Sequence, residues 1–431
     1  MTSGPPGTPS AERRLVARTV ALRPDDVDVL VDLLPREQPV AWLRRGDGLV
    51  GWGEAAVVRT SGPTRFSDAD KWWSETTARA VVHDEVAEPG SGLVVFGSVG
   101  FADEPGDSVL VVPRLLVGRR GDRTWMTTVE ELADGADAAG DDVASPAVPA
   151  PTPAPAPPRG IAFADGARNG EQWMSAVADA VARIGSSRLE KVVLARDLVA
   201  TADEPVDVRW PLPRLAETYP MCWTFHVDGL FGATPEMLVR RERGLVTSRV
   251  LAGTIRRTGD DDRDLALAGH LARSSKDLEE HEYAVRSVAD ALEPYCSSMN
   301  VPEAPFVLHL PNVMHLASDV AGVVHDAHGV SSLRLAESLH PSAAVGGTPT
   351  DAAVDLIVEL EAMDRGRYAG PVGWMDVRGD GEFGIALRSA EVTPEGVRLF
   401  AGCGIVAGSR PEAELAESDA KLVPVRDALG G

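Results

Sequence analysis

The residues best placed to do chemistry lie near the end of the chain, in the stretch Leu399–Lys421. Its sequence, LFAGCGIVAGSRPEAELAESDAK, predicts a strand, a glycine-rich turn and then a helix. On that helix Glu414, Glu417 and Lys421 are three and four residues apart, so their side chains share one face. Glycine turns present backbone amides to anions, and paired carboxylates bind hard cations. The stretch therefore predicts an anion site bridged by a cation.

The local structure of this stretch is predicted from its glycines and its helix signals. Gly402, Gly404 and Gly408 are expected to form the turn, with Ser409 capping the helix and Pro411 in its first turn.

Two alternatives compete with the anion site. The spacing Gly402-Cys403-Gly404 followed by Gly408 resembles a dinucleotide fingerprint but misses its pattern. The other alternative is an exposed helix whose Glu417–Lys421 pair contributes a few tenths of a kcal/mol.

Two acid–base candidates stand at predicted strand ends. Lys191 opens KVVLAR, the start of a strand predicted over Lys191–Val199, and is either a solvated edge charge or a general base. Glu236 follows Thr234-Pro235, where a strand breaks. It is either a surface or capping carboxylate or, if burial raises its pKa, a general acid.

A long helix is predicted after Ser274, because Ser274-x-x-Asp277 resembles a capping box and an apolar stripe follows. Glu279, Glu280 and Glu282 lie in its first turns. The helix dipole favours carboxylates there whatever their role, and it also keeps them ionised, as ligands of a hard cation must be.

Three more positions have open interpretations. Gly253 permits close approach of a ligand to the backbone or marks a bulge. His315 lies on an apolar stretch and by default is a core histidine. Arg388 is expected on a strand over Gly384–Ala390, after a strand predicted over Tyr368–Asp376.

Composition limits the classes of partner. The chain has 431 residues, 44% hydrophobic, with 65 acidic and 42 basic side chains and a net charge of −23. This charge argues against nucleic acid and anionic membranes as partners. Three distant cysteines fit a reducing cytoplasm, and neither a signal peptide nor a membrane span is indicated. The sequence is compatible with a monomer.

The chain is divided by one stretch of biased composition. Residues 1–14 are predicted to be disordered and residues 15–130 to be mainly strands, with helices over Asp25–Leu34 and Asp68–Glu85. Residues 131–160 are acidic and then rich in proline and alanine, which indicates either a linker or a loop within one fold.

From about Glu171 to the end, the chain carries a series of motifs that resemble the chorismate-utilising enzymes, the family of anthranilate, aminodeoxychorismate, salicylate and isochorismate synthases. Residues 161–431 are accordingly expected to be the chorismate-binding catalytic region. The resemblance rests on KVVLAR, FGATPE, LAGTIRR, SSKDLEEHE, NVMHLAS, ELEAMDRGRYAG, IALRSAE and AGCGIVAGS with the closing ESDAK. It is weaker in the N-terminal third, where FGSVGF and a hairpin match. It implies an α+β fold in which antiparallel sheets pack as a sandwich with outer helices, and in which residues 15–130 join the same fold.

The resemblance also implies roles for individual residues. Chorismate would lie between Glu280 and Glu417, which look like the family's Mg²⁺ ligands, with Glu414 supporting through water. Arg388 and Tyr368 are similar to the pair that holds the enolpyruvyl carboxylate. The remaining positions implied in substrate binding are Gly253, Thr254, His315, Gly402, Gly404 and Lys421.

Position 191 separates the branches of the family. Members that add ammonia typically have glutamine there, whereas members that add water resemble this sequence in having lysine. Lys191 and Glu236 would then be the base and the acid of an isochorismate synthase, whose product supplies menaquinone or siderophore synthesis. A salicylate synthase, which shares the lysine, and an inactive partner subunit are the alternatives.

Overall fold

Antiparallel strands are the most abundant regular structure in the described chain. The structure is a computed structural model and describes residues 14–132, 150–186, 188–310, 313–325 and 329–430. Within these ranges the strands form one sheet of 13 and one of 10.

In chain order the strands are β1 (Arg14–Leu22), β2 (Pro39–Arg44), β3 (Asp47–Trp52), β4 (Ala56–Thr60), β5 (Val81–Asp84), β6 (Val94–Ser98), β7 (Ser108–Val112), β8 (Leu115–Arg120), β9 (Arg123–Leu132), β10 (Ala162–Asp165), β11 (Lys191–Thr201), β12 (Trp223–Val227), β13 (Leu230–Thr234), β14 (Met237–Glu242), β15 (Leu245–Arg256), β16 (Cys296–Asn300), β17 (Phe306–His309), β18 (Val313–Val324), β19 (Gly347–Thr348), β20 (Pro371–Asp376), β21 (Gly381–Ile385), β22 (Ser389–Thr393) and β23 (Gly396–Val406).

The helices are α1 (Arg65–Arg79), α2 (Gly170–Ser186), α3 (Pro211–Thr218), α4 (Asp261–Leu271), α5 (Ser275–Leu292), α6 (Ser332–Ser338), α7 (Thr350–Glu361) and α8 (Pro411–Leu429). Among the helices described here, none has the length and apolar character needed to cross a membrane.

Each sheet joins strands from the two halves of the chain. Sheet 1 has the order β10-β11-β23-β22-β13-β12-β2-β3-β8-β9-β1-β5, with β19 also paired to β11. Sheet 2 has the order β16-β18-β15-β14-β21-β20-β6-β7-β4, with β17 also paired to β18. All of these pairings are antiparallel except that of β1 with β5. The N-terminal strands therefore hydrogen-bond directly to strands of the C-terminal part, as in β2 with β12 and β6 with β20.

The two sheets pack face to face, and helices cover their outer surfaces. A buried cluster between the sheets contains Trp42 and Phe225 from sheet 1 and Phe96 and Trp374 from sheet 2. A second cluster joins the other face of sheet 1 to α3 and α8, for example through Leu422. Burying large aromatic and aliphatic side chains on both sides of the sheet is the main stabilising contribution to such a layered fold. The predicted α+β sandwich is confirmed.

The predicted helix over Asp25–Leu34 is wrong. The segment forms two short 3₁₀ turns, Pro24–Asp26 and Leu30–Leu33, rather than one helix. Val27 and Val29 between them are extended, with φ of −134° and −126°. Branching at Cβ favours this extended backbone, which interrupts the helix.

The predicted helix over Asp68–Glu85 is wrong in its second part. Helix α1 ends at Arg79, and Val81 and Val82 then pair in parallel with Val16 and Ala17 of β1. A long-range strand partner therefore decides the conformation of the two valines, whose β-branched side chains suit a strand.

We propose that residues 15–130 and 161–431 unfold as one cooperative unit and that Ser145–Pro158, of which residues 145–149 lie outside the described ranges, is a loop within it. Thr152 anchors the described part of this run, because its amide donates to the carbonyl of Asp32 at 3.0 Å and its hydroxyl donates to the carbonyl of Leu34 at 2.5 Å. Removing residues that precede Thr152 should change the free energy of unfolding by less than about 1 kcal/mol, because loop closure depends weakly on length. Calorimetry should show one transition. Two separate transitions, one of them retained by an isolated N-terminal fragment, would contradict the proposal.

Candidate active site

One cavity of about 330 Å³ brings together side chains and glycines from both sheets and from the helices that cover them. Of the predicted site residues, those that line it are Lys191, Glu236, Gly253, Thr254, His315, Tyr368, Arg388, Gly402, Gly404, Glu414, Glu417 and Lys421. Glu280 lies on α5, and its side chain is outside the part of the structure that is described. The pairing of strands thus brings to one cavity residues that are more than 200 positions apart in the sequence.

Lys191 is the first residue of β11 and faces the cavity rather than the outer edge of the sheet. Its neighbours across the ladder are Val406 of β23 and Thr348 of β19. A Cβ atom added to Gly404 would lie 2.9 Å from Lys191 Cε and 3.5 Å from Nζ. The lysine side chain therefore lies over Gly404, and a side chain at position 404 would displace the ammonium group from this place.

Glu236 lies in the link between β13 and β14 and is 7% exposed. Its amide donates to Thr234 Oγ1 at 3.2 Å, which fixes the turn that points the carboxyl inward. Burial raises the pKa of the Glu236 carboxyl to about 7, although the positive charges of Lys191 and Arg388 oppose that rise. Near neutral pH this carboxyl is therefore present in both its protonated and its ionised form.

Arg388 lies between β21 and β22, so the predicted continuous strand over Gly384–Ala390 is wrong. Its φ of +50° is left-handed, and its carbonyl accepts from the amide of Ala233 at 3.2 Å. This long-range bond holds an unfavourable backbone conformation. Within the described ranges the guanidinium makes no hydrogen bond or ion pair to another side chain, so its donors are available to an anion in the cavity.

Tyr368 lies against β23 beside this guanidinium. Its ring stacks on Phe400, with centroids 5.0 Å apart and an interplanar angle of 9°. A Cβ atom on Gly402 would lie 3.1 Å from the Tyr368 hydroxyl oxygen. Burial raises the pKa of the tyrosine, so the hydroxyl is a neutral hydrogen-bond donor at the cavity wall.

His315 and Thr254 face each other on β18 and β15. His315 Nδ1 and Thr254 Oγ1 are 2.9 Å apart, while the buried Nε2 has no hydrogen-bond partner among the described residues. Burial, together with the positive charges of Arg388 and Lys421, lowers the pKa of His315 to about 3, so the ring is neutral. Within β15, Gly253 has φ of +75° and lies at a shift in the register with β18, which identifies a bulge.

Helix α8 brings the predicted carboxylates to the cavity. Lys421 Nζ pairs with Glu417 Oε1 at 2.6 Å and donates to the Gly402 carbonyl at 2.9 Å. Burial acts to raise the pKa of Glu417, but the charges of Lys421 and Arg388 outweigh it and the pKa is lowered. The ligand atoms of Cys403, Glu414 and Glu417 all lie within 4.8 Å of one another, so this group has the size of a cation site.

The predicted glycine turn is wrong for Gly402 and Gly404, whereas Gly408 does lie in the turn that follows β23. Gly402 and Gly404 lie inside β23, paired with Ala195 and Val193 of β11, and neither has a positive φ. They leave room for other side chains rather than shaping a turn. The predicted Ser409 cap is also wrong in detail, because the N-cap residue is Arg410; Ser409 Oγ instead accepts from the Val406 amide at 3.2 Å.

Three further charged residues line the cavity and were not predicted as part of the site: Asp277, Arg365 and Arg410. Asp277 was identified only as part of the helix cap, and Ser274 Oγ does accept from its amide at 3.3 Å. Arg365 follows Glu361 by four residues, a spacing that would have indicated an ion pair. Nothing in the sequence distinguishes Arg410 from an ordinary surface arginine.

The chain belongs to the chorismate binding enzyme family, whose family model matches residues 11–430. The isochorismate synthase MenF of Bacillus subtilis is 31% identical over 404 residues, which cover 89% of this chain and 85% of the relative. The salicylate biosynthesis isochorismate synthase of Pseudomonas aeruginosa is 35% identical over 434 residues, covering 96% of this chain and 90% of the relative.

A solved structure has the same fold. MenF, the menaquinone-specific isochorismate synthase from Escherichia coli, superimposes with a TM-score of 0.78 at 24% identity, covering 99% of this chain and 96% of that one. The predicted family is confirmed, and the relatives carry the name of the predicted branch.

Proposed function

We propose that this protein is an isochorismate synthase that converts chorismate to isochorismate. In this reaction water adds at C2 while the C4 hydroxyl leaves. The observation that carries the proposal is that Lys191 and Glu236, which have the chemistry of a base and an acid, face the same cavity. The names of the two sequence relatives support the same reaction.

Lys191 and Glu236 have complementary roles in the proposed mechanism. Lys191 takes a proton from the attacking water, and Glu236 gives a proton to the departing C4 hydroxyl. A carboxyl whose pKa is about 7 suits the second role, because it is protonated often enough at neutral pH and still releases its proton readily. The Lys191 side chain needs the space above Gly404 to reach the water.

The carboxylates of chorismate require positive charge and hydrogen-bond donors. Arg388 is proposed to hold the enolpyruvyl carboxylate, because a guanidinium without a side-chain ion pair among the described residues matches that planar group, and the Tyr368 hydroxyl donates beside it. The buried Nε2 of His315 also faces the site and lacks a described partner. The other positions proposed to contact substrate are Gly253, Thr254, Gly402, Gly404 and Lys421.

The donor set on α8 fits Mg²⁺. Glu414 and Glu417 supply oxygen atoms within 4.8 Å of each other, and Mg²⁺ prefers one or two carboxylates completed by water and an anionic substrate. We propose that Glu280 and Glu417 are its ligands, with Glu414 supporting through water. When bound, the ion would supply positive charge against the ring carboxylate of chorismate. Lys421 holds the Glu417 carboxylate ionised and in place.

Incubating the protein with chorismate and Mg²⁺ tests the proposed function directly. We expect isochorismate as the product, identified by chromatography and mass spectrometry. Salicylate with pyruvate would favour a salicylate synthase, and no conversion would favour an inactive partner subunit. Adding ammonium salt should not produce an aminated product, because position 191 is lysine.

The buried carboxyl of Glu236 predicts a pH-dependent stability. Its pKa is raised from 4.5 to about 7, so the folded state favours the protonated form. This stabilisation is fully present below about pH 4.5 and is lost as the pH rises through about 7. Glu236→Gln mimics the protonated carboxyl. The free energy of unfolding of Glu236→Gln minus that of the wild type should therefore increase by on the order of 3 kcal/mol as the pH is raised between these limits.

Urea denaturation of both proteins across this pH range provides the measurement. The exposed residue Glu75 on α1, away from the N-terminus of its helix, offers a control, since Glu75→Gln should track the wild type across this pH range. Parallel curves for Glu236→Gln and wild type would show that the Glu236 carboxyl is not buried in its neutral form.

A further inference from the structure

The strand that carries Lys191 has an incomplete edge. On the side away from β23, β19 pairs only with Lys191 and Val192, and β10 begins to pair only at Leu198. Between these points no strand of the described chain covers β11. Backbone amides and carbonyls buried inside a protein cost free energy unless each forms a hydrogen bond.

The side chains of Glu361 and Arg365 supply two of those partners, and Trp173 Nε1 supplies another by donating to the Ala195 carbonyl at 3.1 Å. Arg365 Nη2 donates to the Val193 carbonyl at 2.7 Å, and the Ala195 amide donates to Glu361 Oε1 at 2.6 Å. One donor and one acceptor thus take the place of the missing strand, two and four residues after Lys191. The strand is held here by side chains from the end of α7 and the turn that follows it.

The ion pair itself is fully buried and joins several segments. Its side chains are 2% and 1% exposed, with Arg365 Nη2 and Glu361 Oε1 2.5 Å apart. Arg365 Nη1 also donates to the carbonyl of Val345, a cavity residue, at 2.9 Å. The guanidinium lies over the Phe101 ring, 4.2 Å from its centroid. A planar fork is needed to reach carbonyls of two segments and a carboxylate together, which a lysine cannot do.

We propose that the Glu361–Arg365 ion pair positions Lys191 for catalysis by completing the edge of β11. The inference rests on the proposed function, in which Lys191 is the base. Its physical reason is that proton transfer depends steeply on distance, and a displacement of about 1 Å costs on the order of 100-fold in rate. Among the described residues the start of β11 is held by β19, β23, this pair, the Trp173 indole and the Gly346 carbonyl. Loosening the pair removes two of these contacts and is expected to move Lys191 relative to substrate.

The test is a double-mutant cycle between Arg365→Lys and Lys191→Ala. Arg365→Lys should lower kcat by roughly 10- to 100-fold, while KM for chorismate changes by less than about threefold. In the Lys191→Ala background the same substitution should have no further effect on the remaining rate, because the residue it acts through is gone. The dissociation constant for chorismate, measured by calorimetry, should also stay close to that of the wild type if the binding site is unchanged.

A matched buried pair controls for loss of stability. Arg241 and Asp380, with side chains 2% and 5% exposed, form an ion pair of 2.6 Å outside the cavity. Arg241→Lys should lower the melting temperature and leave kcat of the folded enzyme unchanged. If Arg365→Lys does not fold, Glu361→Gln replaces it: the amide oxygen still accepts from Ala195, and a smaller loss of kcat with unchanged KM is expected.

Three results would overturn the inference. The first is an unchanged kcat in the folded Arg365 or Glu361 variant. The second is an equal loss in the wild-type and Lys191→Ala backgrounds, which would show that the pair acts independently of the lysine. The third is a rise in KM without loss of kcat, which would place Arg365 in substrate binding. A near-normal rate in Lys191→Ala alone would instead contradict the proposed function.

Discussion

Replacing Lys191 by alanine is expected to lower the rate of isochorismate formation by roughly 10²–10⁴-fold, the usual contribution of a general base. The loss should appear in kcat, because the groups proposed to hold the carboxylates of chorismate, among them Arg388 and Tyr368, remain in place. The same proton transfer is needed in reverse, so conversion of isochorismate to chorismate must fall in parallel.

Steady-state rates in both directions, with chorismate affinity from calorimetry, measure this effect. Lys191→Gln should lose water addition to a similar extent and should be tested for slow amination at C2. The exposed residue Lys71 on α1 gives a matched control, since Lys71→Ala should behave as wild type. Near-normal rates in Lys191→Ala would show that Lys191 is not the general base and would favour the alternative of a charge at the sheet edge.

Loss of the proposed metal ligands should have an effect of similar size. Glu417→Gln and Glu280→Gln are each expected to lower turnover by roughly 10³-fold or more, because a bound cation contributes several kcal/mol of charge stabilisation. Both variants should stay folded, with melting temperatures near that of the wild type. Excess chelator should abolish wild-type activity, and Mg²⁺ should restore it.

Each metal-ligand variant has a control on its own helix. Glu412→Gln on α8 and Glu282→Gln on α5 remove one exposed carboxylate from the same element. Magnesium titration of all four variants should show weakened dependence only for Glu417→Gln and Glu280→Gln. Full activity in chelator, or a wild-type response in both ligand variants, would contradict the metal assignment.

Local sequence patterns were sufficient to predict features that depend only on residues close together in the chain. The cap at Ser274 and the shared face of Glu417 and Lys421 follow from helical spacing, and both are present. The sandwich of antiparallel sheets with outer helices was implied by the resemblance of ordered motifs. The motifs also identified the residues that the fold brings to one cavity.

Features that depend on distant partners could not be predicted in the same way. The left-handed backbone of Arg388 is held by a bond from Ala233, which is remote in sequence. The sequence predicted a turn at Gly402 and Gly404 because glycine is common in turns. In the structure they are glycines because Tyr368 and Lys191 occupy the space of their side chains. Such packing is set by sheet register, which a single stretch of sequence does not contain.

The same limit applies to the edge of β11. Glu361 and Arg365 were part of a motif, ELEAMDRGR, that indicated the family without revealing a task for either residue. Only the strand order shows that β11 lacks a neighbour where these side chains bind its backbone.

The central claim, addition of water at C2 with loss of the C4 hydroxyl, is tested most directly by isotope incorporation. Chorismate is incubated with the enzyme and Mg²⁺ in water enriched in ¹⁸O, and the initial product is analysed by mass spectrometry and NMR. The account predicts isochorismate carrying one ¹⁸O atom, located in the hydroxyl on C2. Isochorismate without the label at C2, or formation of another product without isochorismate, would contradict it.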